Sequence, residues 1–188
     1  MSRAEPRERS LHWRELSREP LQDCRVFRVS RTLAESPDGR ARHPFFRIDS
    51  SDWVNVIPVT PDGAVVMVRQ YRHGSGDVTL EIPGGMVDAG EDPAEAAARE
   101  LLEETGYRAA RIERLGSVNP NPALFGNRLH AFVATGAREV AEIQNDAREE
   151  TLVEVVPRAE LLQRVRAGRV DHALVLAALL FWELSEKS

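Results

Sequence analysis

The feature that most narrows what this chain can fold into is a change of hydrophobic period at residue 92. Up to that point short apolar runs alternate with turn signals. A strand-like stretch from Gln22 carries Cys24, Val26, Phe27 and Val29 and ends at Ser36-Pro37-Asp38-Gly39. Extended runs follow at Pro44 to Ile48, Trp53 to Val59, Ala64 to Tyr71 (after the turn Pro61-Asp62-Gly63) and Val78 to Ile82. The last runs into Pro83-Gly84-Gly85. Then Asp92-Pro93-Ala94-Glu95 sets an N-cap acid before a proline at the first helical position, with a glutamate three residues after the cap. The spacing predicts a helix to Thr105, closed by Gly106 as a left-handed cap. Strand patterns return at Ile112 to Val118, Leu129 to Ala134 and Thr151 to Val156. Pro157 opens a helix ending near Gly168, and Asp171 caps a last one. No repeat or linker interrupts this order. The expectation is one α/β domain over residues 21–188, preceded by an N-terminal arm over 1–20.

Composition removes several function classes. The net charge is −5, against the basic surface that nucleic-acid binding needs. Lys187 is the only lysine, so the arginine bias reflects composition and an arginine's presence alone signifies little. One cysteine, Cys24, excludes an internal disulfide and a cysteine-based zinc site, and it reads as structural. The longest apolar run, Ala173 to Trp182, is half of the ~20 residues that span a bilayer. The first twenty residues mix arginine with Glu5, Glu8, Glu15 and Glu19, unlike a secretory or mitochondrial leader. The chain reads as soluble and cytoplasmic, without membrane partners.

On a helix of about 100° per residue, Glu103 lies about 60° to one side of Glu100 and Glu104 about 40° to the other. Ala94, Ala98, Leu101, Leu102 and Thr105 fall on the neighbouring face, so the helix is expected to carry an apolar face with a triple-carboxylate edge beside it. Such an edge can be a plain solvated face. It can also hold hard divalent cations, which take oxygen ligands from carboxylates and phosphates. The Pro83-Gly84-Gly85 segment in front favours the second reading, because glycine lets backbone approach a ligand closely and offer a carbonyl.

Gly85, five residues, Glu91, seven residues, Arg99-Glu100-Leu101, one residue, Glu103-Glu104, one residue, Gly106-Tyr107 resembles the complete box of the Nudix hydrolases, with no fixed position missing. The resemblance implies a Nudix-type α/β/α sandwich with a mixed sheet and additional N-terminal strands. It implies hydrolysis of a nucleoside diphosphate linked to another group, with Mg²⁺ or Mn²⁺ as cofactor. Glu100 and Glu104 would be the principal metal ligands, Glu103 a further ligand or a contact to water, and Gly84 a carbonyl ligand. Glu91 and Arg99 would orient them.

Gln70-Tyr71-Arg72 and Leu80-Glu81-Ile82-Pro83-Gly84-Gly85 resemble the ADP-ribose pyrophosphatase and nucleoside diphosphate sugar branch of that family. In that likeness Arg72 meets a phosphate, Glu81 stands behind the metal ligands, and Gly85 and Arg47 border the substrate. Trp53, with Phe45 and Phe46, is a candidate to stack on a base in a pocket shared by two subunits of a homodimer. The pattern departs after the box. Val118-Asn119-Pro120-Asn121-Pro122-Ala123 replaces the branch's usual turn, and Asn119 through Arg128 looks closer to enzymes acting on nucleoside diphosphate sugars generally. The general base would come from the acidic loop before the last strand, Glu149 first and Glu150 second, with Asp146 nearby. Other nucleotides (triphosphates, dinucleoside polyphosphates, capped RNA) and a non-catalytic nucleotide-sugar sensor remain alternatives. His43, His73, His130 and His172 show no metal spacing, and His172 is expected to cap or pack the last helix.

Overall fold

A computed structural model describes residues 11–144 and 150–186. They divide into two compact units, one of residues 11–51 with 121–127 and the other of residues 52–120 with 128–144 and 150–186.

The first unit is a three-stranded antiparallel sheet in the order β1 (Arg14–Asp23), β2 (Arg28–Glu35), β3 (Arg42–Asp49). Residues 14–20, expected in the arm, are thus strand. The single strand-like stretch expected from Gln22 is two strands, separated by a turn in which Arg25 takes a φ of 67°. Cys24 sits in that turn and is exposed, so it has no packing role. Along β2, Ser30, Thr32 and Ala34 are buried while Arg31 and Leu33 are exposed, the two-residue period of a sheet with one covered face. Phe45 and Phe46 are exposed, with Trp13 edge-on to Phe45 at 5.2 Å between ring centroids.

The second unit is built on a seven-stranded mixed sheet, ordered β12 (Thr151–Pro157), β5 (Ala64–Arg72), β4 (Trp53–Val59), β10 (Leu129–Thr135), β9 (Arg111–Val118). β4 and β10 are parallel, and the other pairs are antiparallel. β4 and β5 meet only at Val59 and Val65 and then part. Into the fork come β6 (Asp77–Glu81) along β5 and β7 (Gly84–Met86) along β4. β8 (Tyr107–Arg108) and β11 (Arg138–Glu139) form a separate ribbon.

Helices cover both faces. Val54, Val56, Phe132 and Ala134 pack against Ala96, Ala97 and Leu101 of α1 (Pro93–Thr105). Ile57, Met67, Leu80, Ala131 and Val133 pack against Leu161 of α2 (Arg158–Arg166) and Val175, Ala178, Leu179 and Trp182 of α3 (Ala173–Ser185). Alternate residues of β4 and β10 feed the two cores, which is why these central strands read as near-continuous apolar runs, interrupted by Asn55 in β4 and His130 in β10. Asp92 caps α1 by accepting the Ala94 N–H, and Gly106 closes it at φ 73° while donating to the Leu102 carbonyl. The last helix differs from expectation by one residue: His172, not Asp171, occupies its N-cap, and its ring makes no capping bond.

Candidate active site

The buried sector of α1 comprises Ala96, Ala97, Leu101, Glu104 and Thr105, while Ala98 is exposed. This corrects the expected layout. The acidic edge does not run beside the apolar face; Glu104 lies inside it, 7% exposed, and the Glu100 side chain is 12% exposed. Gly85 of β7, having no side chain, leaves the space that the Glu100 carboxylate occupies. Gly84 donates its N–H to Glu104 Oε2 at 3.0 Å, and a Cβ on Gly85 would overlap the Glu100 carboxylate. Thr151 Oγ1 donates to the Glu104 carbonyl at 2.9 Å, pinning the helix to β12. No sequence signal marked that threonine.

Arg99 organises the rest. Its Nε and Nη2 donate to the two oxygens of Glu91 at 3.0 and 3.1 Å, and Nη2 also to the Met86 carbonyl at 3.0 Å. Its Nη1 reaches Glu100 Oε1 at 2.8 Å and Glu103 Oε2 at 3.2 Å. Glu91 in turn accepts the Asp88 N–H at 2.9 Å, which closes the loop before the helix. The Arg99 hydrogen bonds hold the Glu91 carboxyl below its ordinary range, and Glu91 and Glu100 raise the guanidinium's affinity for its proton. One guanidinium therefore relieves the repulsion expected within the acidic cluster.

In the fork, Glu81 is 2% exposed. Arg72 donates to it side by side, Nε to Oε1 and Nη2 to Oε2, both at 2.8 Å, and Thr79 donates to Oε1 at 2.5 Å. Burial opposes ionisation of Glu81, but the hydrogen bonds from Arg72 and Thr79 outweigh it and hold the carboxyl below its ordinary range. His172 Nε2 stands 4.0 Å from Oε2. Thr79 and His172 were not anticipated at this pair.

The remaining sequence candidates distribute as follows. Trp53 opens β4, opposite Met86, and donates its N–H to the Arg128 carbonyl at 2.8 Å. Arg128 and Asn119 are both exposed and are brought together, with Nη1 donating to Oδ1 at 3.1 Å while Nε holds the Ser117 hydroxyl at 2.8 Å. Arg47 lies in the first unit, paired with Asp49 at 2.9 Å. Glu150 is exposed just before β12. Glu149 and Asp146 lie outside the described residues. His130 is buried between Asp52, 2.9 Å from Nε2, and Arg114, 3.1 Å from Nδ1.

The donor set suits a hard divalent cation: carboxylate oxygens of Glu100, Glu103 and Glu104 gathered beside the glycine backbone, where a Cβ at residue 85 would overlap Glu100. Among the described residues no three His, Cys, Asp or Glu side chains form a ready-made metal cage. Also among them, no helix is long and apolar enough to cross a membrane.

Residues 51–179 match the family model described as NUDIX domain. The ADP-ribose pyrophosphatase of Bacillus subtilis (strain 168) is 29% identical over 95% of this chain and 96% of its own. The methanol dehydrogenase activator of Bacillus methanolicus is 31% identical over 86% of this chain and 88% of its own. A crystal structure of an ADP compounds hydrolase superposes with a TM-score of 0.82 at 24% identity, covering 93% of this chain and 94% of that one.

Proposed function

This chain belongs to the NUDIX family and is a hydrolase of its ADP-ribose pyrophosphatase branch, and from that premise we propose that it cleaves the diphosphate of ADP-ribose or a related nucleoside diphosphate sugar with Mg²⁺, or Mn²⁺ in its place. The products are a nucleoside monophosphate and a sugar phosphate. The observation that carries the proposal is the seating of the Glu100 and Glu104 carboxylates against the backbone of Gly84 and Gly85. Carboxylate oxygens grouped beside a backbone turn are the ligand type that a hard divalent cation takes. A backbone packed this closely fixes their positions.

In this reading Glu100, Glu104 and the Gly84 carbonyl hold the cation, with Glu103 as a further ligand. When bound, the cation neutralises charge developing on the phosphate oxygens. Arg72 binds a phosphate of the substrate, and Glu81 fixes its guanidinium. Glu149, or Glu150 beside it, accepts a proton from the attacking water. The water oxygen bonds to one phosphorus as the bridging P–O bond breaks, and the other phosphate leaves with the bridging oxygen and the group that it carries. Trp53, Gly85, Asn119 and Arg128 border the substrate, and the enzyme works as a cytoplasmic homodimer.

The test is product release from ADP-ribose, UDP- and GDP-sugars, dinucleoside polyphosphates and nucleoside triphosphates, each with Mg²⁺ and with Mn²⁺. Turnover is expected for ADP-ribose or the sugars and lowered at least ~100-fold in Glu104→Gln, which keeps an acceptor for the Gly84 N–H. Preference for triphosphates overturns the substrate. Binding of ADP-ribose without hydrolysis makes the chain a sensor. The Bacillus methanolicus relative favours a second reading, activation of another enzyme, which stimulation of a dehydrogenase by this protein would support.

A further inference from the structure

A buried carboxylate offers about four lone-pair sites. At Glu81 three are taken: Arg72 Nε and the Thr79 hydroxyl on Oε1, and Arg72 Nη2 on Oε2. Oε2, which accepts one of these three bonds, lies 4.0 Å from His172 Nε2. That is too long for a direct hydrogen bond, but it is the range of a Coulomb contact or of a bridging water.

The placement of His172 in the chain is unusual. It holds the N-cap of α3 with extended backbone angles (φ −66°, ψ 114°), and its carbonyl accepts the Leu176 N–H at 3.1 Å. The side chain does nothing for the helix, although this is the position where Ser, Thr, Asp or Asn would satisfy an exposed N–H. Its ring turns instead toward the sheet. Nδ1 is buried there and has no hydrogen-bond partner among the described residues. The position thus forgoes a helix cap and leaves a buried ring nitrogen unsatisfied, and what the ring meets instead is Glu81.

We propose that His172 is a positioning residue for the Arg72–Glu81 pair: it closes the open side of the Glu81 carboxylate, stops it rotating, and so sets the direction in which Arg72 presents its guanidinium to a substrate phosphate. The inference rests on the reading above, in which Arg72 is a phosphate contact. It adds to that reading a coupling between the start of the last helix and the substrate pocket. His172 itself touches neither substrate nor cation, so its effect falls on substrate binding and not on the chemical step.

The experiment is a double-mutant cycle of His172→Ala and Arg72→Ala, read as KM and kcat for ADP-ribose with Mg²⁺ and as the calorimetric Kd for ADP-ribose without divalent cation, where the ligand is not consumed. His172→Ala is expected to raise KM and Kd about five-fold with kcat within about two-fold, and to have no further effect once Arg72 is alanine. Should His172→Ala not fold, His172→Leu, which keeps much of the volume but no ring nitrogen, carries the same comparison. Independent effects of the two substitutions, or equal losses in kcat and kcat/KM, overturn the proposal, as does an Arg72→Ala enzyme with unchanged KM and Kd. Absence of hydrolysis in the parent protein counts against the proposed function alone, because the cycle in Kd still decides the coupling.

Discussion

Gly84 and Gly85 are neighbours in sequence but are required for different reasons, and two alanine substitutions separate them. Neither has the positive φ that favours glycine, so the cost of a methyl group comes from what it meets. At Gly84 it meets the Val54 carbonyl and the Asn55 backbone, which are parts of a strand and cannot move alone. Gly84→Ala must therefore distort the β4–β7 pairing, an overpacking cost of about 1–3 kcal/mol. At Gly85 the three nearest atoms that the methyl meets all belong to the Glu100 carboxylate, the end of a flexible side chain. Glu100 can swing away, giving up its 2.8 Å bond from Arg99, while Arg99 keeps Glu91, Glu103 and Met86. Because Arg99 stays engaged, the expected loss is under ~1.5 kcal/mol. The displaced carboxylate is a proposed metal ligand, and misplacement by about 1 Å costs on the order of 100-fold in rate. Urea unfolding and ADP-ribose hydrolysis, measured on both variants, should show Gly84→Ala as the less stable protein and Gly85→Ala as a stable but slow one. A Gly85→Ala enzyme with parental turnover, or one that unfolds as readily as Gly84→Ala, refutes the reasoning.

Arg99→Lys keeps the charge but cannot reach Glu91 bidentately and Glu100, Glu103 and Met86 together; a stability loss of about 2 kcal/mol is expected by chemical denaturation, with a lower cation affinity by calorimetry. Glu81 and Glu91 both have folded-state pKa values held below their ordinary ones. Their contribution to stability is therefore complete above the unfolded carboxylate value of about 4.3 and declines as the pH falls through the lower folded values. Urea midpoints from pH 6 to pH 3 should drop across that window, and Arg99→Lys should flatten the part due to Glu91. Asp92→Ala removes the cap on the Ala94 N–H and should cost about 1 kcal/mol by thermal unfolding.

Most elements of the second unit were legible because local signals agreed with the global fold. Asp92-Pro93 and Gly106 delimit α1 as expected, and the apolar runs of β4, β5 and β10 are the central strands. The box spacing likewise identified the residues that gather around Gly84, Gly85 and Arg99. Two matters were not legible. The charged, evenly polar sequence of Arg14–Asp23 carries no apolar alternation, because all but one of its residues are exposed; its strand character comes from backbone pairing with β2. The burial of Glu104 was hidden because helical periodicity sorts residues by polarity, whereas here a carboxylate occupies the apolar sector beside the glycine backbone. His172 was read as a cap or packing residue, and only the tertiary path of α3 brings its ring to Glu81.

The grip of Arg99 on the acidic turn bears on how such a protein comes into being. A cluster of like charges that waited for a metal before it could settle would tie folding to the cation supply of the cell. Here the counterion is covalently part of the helix that needs it, so the chain reaches its working shape with a resident positive charge already in place. On the proposed metal reading, loading and unloading of cation would be late, reversible events on a finished scaffold, and a chelator should silence the enzyme while its unfolding temperature stays nearly where it was.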